Sequence, residues 1–139
     1  MKAREWTLQQ LTVGTEARFE HRIDSSAVDE FARLSGDCNP LHTDRQFAQR
    51  AGFRDRVVHG ALLMALAGRL IGMELPGRQS LLLSLKLDFV APSYPEDIVE
   101  VLGRVQSIHP EQRVVVLRLR ISSGEELRAR GSAMVRVGH

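Results

Sequence analysis

The sequence is poor in cysteine: Cys38 stands alone among 139 residues. No intramolecular disulfide can form, which fits a reducing cytoplasm. The N-terminus, MKAREWTLQQ, lacks the apolar core of a signal peptide. Long hydrophobic runs are missing as well. The most apolar stretch, residues 61–73, is broken by Arg69 and is shorter than the ~20 residues that a membrane span needs. There is no block of basic residues either. Nineteen Lys and Arg against 17 Asp and Glu leave a net charge of +2, scattered along the chain. That pattern argues against a nucleic-acid-binding stripe. The arginine surplus suits a solvated surface or an anionic small ligand. No repeat, low-complexity segment or linker interrupts the chain. With 43% hydrophobic and 26% charged residues, what remains is a globular composition and the length of a single domain, 1–139.

Periodicity supplies the elements. Thr15–Ile23 alternates, with Ala17, Phe19, His21 and Ile23 against Arg18, Glu20 and Arg22, and predicts a half-buried strand. Asp24 or Ser25 can cap an amphipathic helix over Ala27–Leu34, and Gly36 stands where a helix end favours a left-handed residue. Pro40 predicts loop for Asp37–His42. Thr43 and Gln46 have capping-box spacing for a short helix that ends by Gly52. After a loop over Phe53–Val58, residues from His59-Gly60 to about Gly72 read as a mainly apolar helix, buried on most faces. Beyond Pro76-Gly77 come strands at Leu81–Phe89, Ile98–Ser107, Arg113–Ser122 and Glu126–Val137. In the first of these, Leu81, Leu83, Leu85, Leu87 and Phe89 share one face. One strand, a helical insert and four more strands predict an α+β domain. Its antiparallel sheet wraps the central apolar helix.

Chemistry concentrates in two short stretches. Asp37 and His42 close the two ends of one six-residue segment, flanked by a helix on either side. A carboxylate and an imidazole within reach of one water form a general acid–base pair. Asn39 between them can orient the water or one of the pair. Taken singly, Asp37 and Asn39 also suit plain turn chemistry. His59-Gly60 opens the apolar helix. N–H groups at a helix start have no intrahelical partner, and Gly60 would let a carbonyl approach them. A plain turn is the other reading of Gly60. His59 is expected to hold the loop, and Cys38 to be a small packed side chain rather than a nucleophile. Ala61, Ala65, Gly68 and Gly72 recur along one helical stripe. Close packing explains such a stripe; alternatively Gly68 makes room for a ligand chain, with Ile71 beyond it and Met134 opposite.

The run Phe31-Ala-Arg-Leu-Ser-Gly-Asp-Cys-Asn-Pro-Leu-His42, followed by Val57-Val58-His59-Gly60, closely resembles the MaoC-like hydratases. These include the (R)-specific 2-enoyl-CoA hydratases. Leu75-Pro76-Gly77 and Leu85–Pro92 extend the resemblance. It implies a hot-dog fold. It implies that Asp37 and His42 bind and activate water, that Asn39 supports them, and that the Gly60 N–H forms an oxyanion hole. It also implies a homodimer acting on a thioester of CoA or acyl carrier protein. The pantetheine arm belongs to the substrate, and no metal or other cofactor is implied. Pro95-Glu96 departs from the family, whose members often carry a Gly in that turn. The expected reaction is reversible hydration of a trans-2-enoyl thioester to the (R)-3-hydroxyacyl thioester. A hot-dog thioesterase and a non-catalytic acyl-binding partner subunit are the alternatives.

Overall fold

Alternating burial builds a single antiparallel sheet. In the computed structural model, which describes residues 1–138, the strands are β1 (Glu16–Arg22), β2 (Ser80–Phe89), β3 (Ile98–His109), β4 (Val114–Ser123) and β5 (Glu126–Val137). Their order across the sheet is β1-β3-β4-β5-β2, so β1 and β2 form the edges. Val99, Val101 and Val105 of β3, Leu117 and Leu119 of β4, and Ala133 and Val135 of β5 are almost wholly buried. They form one core with the face of helix α4 (Gly60–Met73) that carries Leu62, Leu63, Leu66, Ala67, Leu70 and Ile71. Burying each such leucine contributes roughly 1.5–3 kcal/mol. Leu70 reaches so close to the sheet that a side chain at Gly103 would collide with it.

The sheet covers only one side of α4. Ala61 and Ala65 are exposed and Gly68 and Gly72 half-buried, so the small-residue stripe points away from the sheet. The expectation of a helix buried on most faces is corrected accordingly. The expectation for β2 also needs correction. Leu81, Leu83 and Phe89 are about half exposed, and only Leu87 is buried. A register shift between Leu82 and Ser84 breaks the alternation, and an edge strand has a neighbour on one side only.

The helical insert holds α1 (Ser25–Ser35), α2 (Pro40–Thr43) and α3 (Arg45–Arg50). Gly36 ends α1 with φ +77, as its place in the sequence predicts. Asp24 occupies the N-cap position of α1 but makes no side-chain capping bond. The Glu96 carboxylate takes that part instead, accepting the Ser25 N–H and hydroxyl, each at 3.0 Å. Those bonds, from the Ser25 backbone first, hold its pKa below the usual carboxylate value. Glu96 itself has φ +75, the left-handed geometry for which glycine is the cheaper residue. The departure at Pro95-Glu96 therefore ties the turn before β3 to the start of α1. Thr43 does not cap the next helix. It ends α2 and its hydroxyl points back to the Cys38 and Asn39 carbonyls, while Asp44 caps α3 by accepting the Phe47 N–H at 3.2 Å.

A buried arginine anchors the 90–97 loop. Arg128 is 7% exposed, and its Nη1 donates to the Asp97 carboxylate at 2.6 Å and to the Pro92 carbonyl at 3.0 Å. Burial alone would raise the Asp97 pKa. The hydrogen bonds from Arg128 and the Tyr94 N–H outweigh it and hold the carboxyl below its usual value. A depressed carboxyl stabilises the fold above its unfolded pKa, and that contribution is lost as pH falls through the folded value. Urea denaturation should therefore show stability falling below about pH 4, and Asp97→Asn should flatten this acid limb. At pH 7, Arg128→Met should cost about 3–5 kcal/mol because it removes the buried charge partner of Asp97 and leaves only the exposed Arg54 beside it.

Candidate active site

Pro40 fixes where the site begins. It occupies the first turn of α2, where a missing N–H costs nothing, and Asn39 caps that turn by accepting the Leu41 N–H at 3.0 Å. The segment Asp37–His42 is thus not all loop, and His42 rides on a single helical turn. Asn39 acts on both members of the pair. Its side chain caps the turn that carries His42, and its N–H donates to Asp37 Oδ1 at 3.3 Å.

His42 Nδ1 lies 2.6 Å from the Val57 carbonyl. A carbonyl only accepts, so Nδ1 carries the proton, and in the neutral ring Nε2 then has the lone pair. That lone pair faces Asp37, with Nε2 and Asp37 Oδ2 3.8 Å apart. The gap is too long for a direct hydrogen bond and suits a water held by both. The His42 side chain is 15% exposed and that of Asp37 53%, so the pair sits at the rim of the fold.

His59 holds the loop, as its sequence position suggests. It is 1% exposed, and its Nε2 donates to the Asp37 carbonyl at 2.9 Å. Its ring stacks on His42 with centroids 3.9 Å apart, and Phe31 packs edge-on against it at 4.9 Å. Asp37, His42 and His59 offer ligand atoms within 4.8 Å of one another. The two imidazoles are only 23° from parallel, however, so their in-plane lone pairs run side by side instead of converging on one point. One ring nitrogen of each is already engaged. This geometry suits proton transfer better than a shared cation.

Gly60 opens α4, and its N–H faces no intrahelical acceptor. His42, Val57, Gly60, Leu63, Phe89 and Val90 line one open cleft of about 380 Å³. The glycine is required for a second reason beyond carbonyl approach. A Cβ there would lie 2.9 Å from Phe89 Cζ. Sequence reasoning placed Phe89 on the core face and missed its part in the cleft. It also missed the Val57 carbonyl, which no side-chain pattern can reveal. Ser93 adds a buried hydroxyl to the cleft wall without a hydrogen-bond partner among the described residues.

The structure does not assemble the expected acyl tunnel. Gly68 points away from the sheet, Ile71 is 2% exposed within the core, and Met134 is 45% exposed. Side chains alternate along a strand, so Met134, between buried Ala133 and Val135, lies on the sheet face opposite α4. The three residues occupy different layers. Cys38 is exposed rather than packed, its Sγ 3.7 Å from the Ala32 carbonyl.

Residues 9–124 match the family described as MaoC like domain. The chain belongs to that family. It is 37% identical over 130 residues to the (R)-specific enoyl-CoA hydratase of Aeromonas caviae, covering 93% of this chain and 97% of the relative. It is also 37% identical over 129 residues to the 3-hydroxybutyryl-CoA dehydratase of Methylorubrum extorquens, covering 93% and 82%. The solved structure of the A. caviae (R)-hydratase superposes with a TM-score of 0.89, covering 93% of this chain and 98% of the other. The unliganded R-hydratase of Pseudomonas aeruginosa, 28% identical, superposes at 0.92, covering 99% and 88%. The sheet and α4 of this MaoC-like chain are therefore those of the hot-dog fold.

If the Phe89 ring is what excludes a side chain at residue 60, the two positions must be energetically coupled. Gly60→Ala should destabilise the fold by roughly 1–3 kcal/mol in urea melts, through overpacking. Adding Phe89→Ala should recover most of that loss. A double variant no more stable than Gly60→Ala would show that the ring is not the obstacle.

Proposed function

We infer that this MaoC-like protein hydrates trans-2-enoyl thioesters reversibly to (R)-3-hydroxyacyl thioesters. One observation carries the reading. The His42 Nε2 lone pair and the Asp37 carboxylate stand 3.8 Å apart, a spacing that one water can bridge from the side, and His42 shares its cleft with the N–H of Gly60. The named relatives supply the substrate class.

The chemistry follows from these groups. A water in the gap donates one hydrogen bond to Nε2 and one to Oδ2, which leaves its oxygen lone pairs free to attack Cβ. As the O–Cβ bond forms, one of the pair takes a proton from the water. The Cα=Cβ π electrons move onto the thioester, and the growing negative charge on its oxygen is met by the Gly60 N–H at the positive end of α4. A proton from the same pair is then delivered to Cα. Both additions come from one loop, so they take place on one face of the double bond. The reading asks for no metal and no cofactor beyond the pantetheine arm, whether CoA or acyl carrier protein bears it. A cytoplasmic location belongs to the same reading; no helix among the described residues is long and apolar enough to cross a membrane. A thioesterase would use the same oxyanion site but has no need of a second proton-transfer group facing the water.

A homodimer is part of this proposal. Leu81, Leu82 and Leu83 on edge strand β2 are 48%, 43% and 50% exposed, and Met134 beside them is 45% exposed. An apolar edge of this kind invites strand pairing, and pairing with a second copy satisfies it by twofold symmetry. Sedimentation should show a dimer at micromolar concentration, and Leu81→Lys with Leu83→Lys should yield a monomer. A wild-type monomer would overturn the arrangement.

The activity is tested by loss of crotonyl-CoA absorbance at its conjugated band, with free thiol assayed in parallel. Asp37→Asn and His42→Ala should each lower hydration on the order of 10²–10⁴ while remaining folded. Thiol release without hydration would identify a thioesterase, and near wild-type turnover in either variant would remove that residue from the mechanism.

A further inference from the structure

Arg56 lies in the loop before α4 and has no part in the chemistry above. Its side chain is only 13% exposed, unusually low for an arginine. Nη1 contacts Asp29 Oδ1 at 2.5 Å and donates to the His42 carbonyl at 3.3 Å, while Nη2 donates to the Ser25 carbonyl at 3.4 Å. Asp29 and Ser25 belong to α1, and His42 belongs to α2. The guanidinium therefore joins the helix before Asp37 to the helix after it.

This placement matters because Asp37 sits between those helices. The 3.8 Å gap to His42 is set by where α1 ends and where α2 stands. A single turn such as α2 cannot hold its own position. The next residue supplies two more ties, from the Val57 N–H to the Leu41 carbonyl at 3.0 Å and from His42 Nδ1 to the Val57 carbonyl at 2.6 Å. Both of those grip α2 alone. Arg56 extends the grip to α1, and its planar fork can serve several acceptors at once.

We propose that Arg56, paired with Asp29, is a positioning residue for the hydration reaction: it fixes the spacing of Asp37 and His42 by clamping α1 to α2. The inference rests on the hydratase reading. Asp29 neutralises the guanidinium, so the clamp leaves no unpaired charge beside the site. Three features of this device are legible in its contacts. It acts on the reacting geometry, it does not touch the cleft, and its effect requires a group that spans both helices.

Steady-state kinetics on crotonyl-CoA with Arg56→Ala, Arg56→Lys and Asp29→Asn test this. Arg56→Ala should lower kcat on the order of 10–100-fold, the scale expected when reacting groups shift by about 1 Å. KM should stay close to wild type, because substrate contacts are untouched. Arg56→Lys should recover only part of the loss, since one ammonium cannot bridge both helices. Guanidinium ion at sub-denaturing concentration should raise kcat of Arg56→Ala and leave wild type unchanged. Asp29→Asn should show a smaller fall of the same kind. Circular dichroism and thermal melts of each variant separate misplacement from unfolding. An unchanged kcat in folded Arg56→Ala, or a KM rise that accounts for the whole loss, would overturn the proposal. Rescue by lysine equal to wild type would do so as well, because it would reduce Arg56 to a point charge. Wild type without hydratase activity would instead overturn the underlying function, and the two failures are told apart by the wild-type assay.

Discussion

The hydrogen bond from His42 Nδ1 to the Val57 carbonyl, at 2.6 Å, is the constraint on which the site depends. It does three things at once. It sets the tautomer, so that Nε2 presents a lone pair. It fixes the ring plane, so that this lone pair faces Asp37. It also ties α2 to the segment of chain that runs directly into α4, so that His42 and the helix N-terminus are held together. The other ties to this four-residue helix, from the Val57 N–H to the Leu41 carbonyl and from Arg56 to the His42 carbonyl, hold its backbone, whereas this bond holds the His42 ring.

Burial reinforces this arrangement from below. His59 is sealed under the pair, stacked on His42 and bonded to the Asp37 carbonyl. Both members of the pair thus rest on a residue that belongs to the start of α4. The helix in turn is immobilised by the sheet, through leucines packed on the inner faces of β3, β4 and β5. Rigidity therefore passes from the core to the rim in a short series of contacts. On the far wall of the cleft, the loop after β2 is held by Arg128, which turns an otherwise costly buried charge into a tie for Asp97 and the Pro92 carbonyl.

The same fold leaves surfaces unfinished. A five-stranded sheet covers α4 on one side and leaves its Ala and Gly stripe outward. The edge strand β2 carries leucines that nothing among the described residues covers. Phe89 stands where these features meet. It ends β2, it touches Gly60, and it is 48% exposed. The cleft is thus bounded partly by a strand whose own edge is free.

Much of this was legible in the sequence because it depends on local rules. Alternation in residues 15–23 and 113–137 marked strands, Gly36 marked a left-handed helix end, and Gly60 marked the start of the apolar helix. The spacing of Asp37, Asn39 and His42 marked the candidate site, since a short separation across a turn leaves its two ends close. Three-dimensional packing decided the rest. Side-chain parity along β5 put Met134 on the outer face, and a register shift spoiled the leucine alternation in β2. Asp44 displaced Thr43 as a helix cap because α2 had already used Thr43. Arg56, Val57 and Phe89 gained their parts from partners 14, 15 and 29 positions away, His42, His42 and Gly60 respectively. Local spacing determined which polar groups lie together, and long-range contacts decided how they are aimed, because orientation depends on backbone carbonyls and neighbouring rings that no residue pattern encodes.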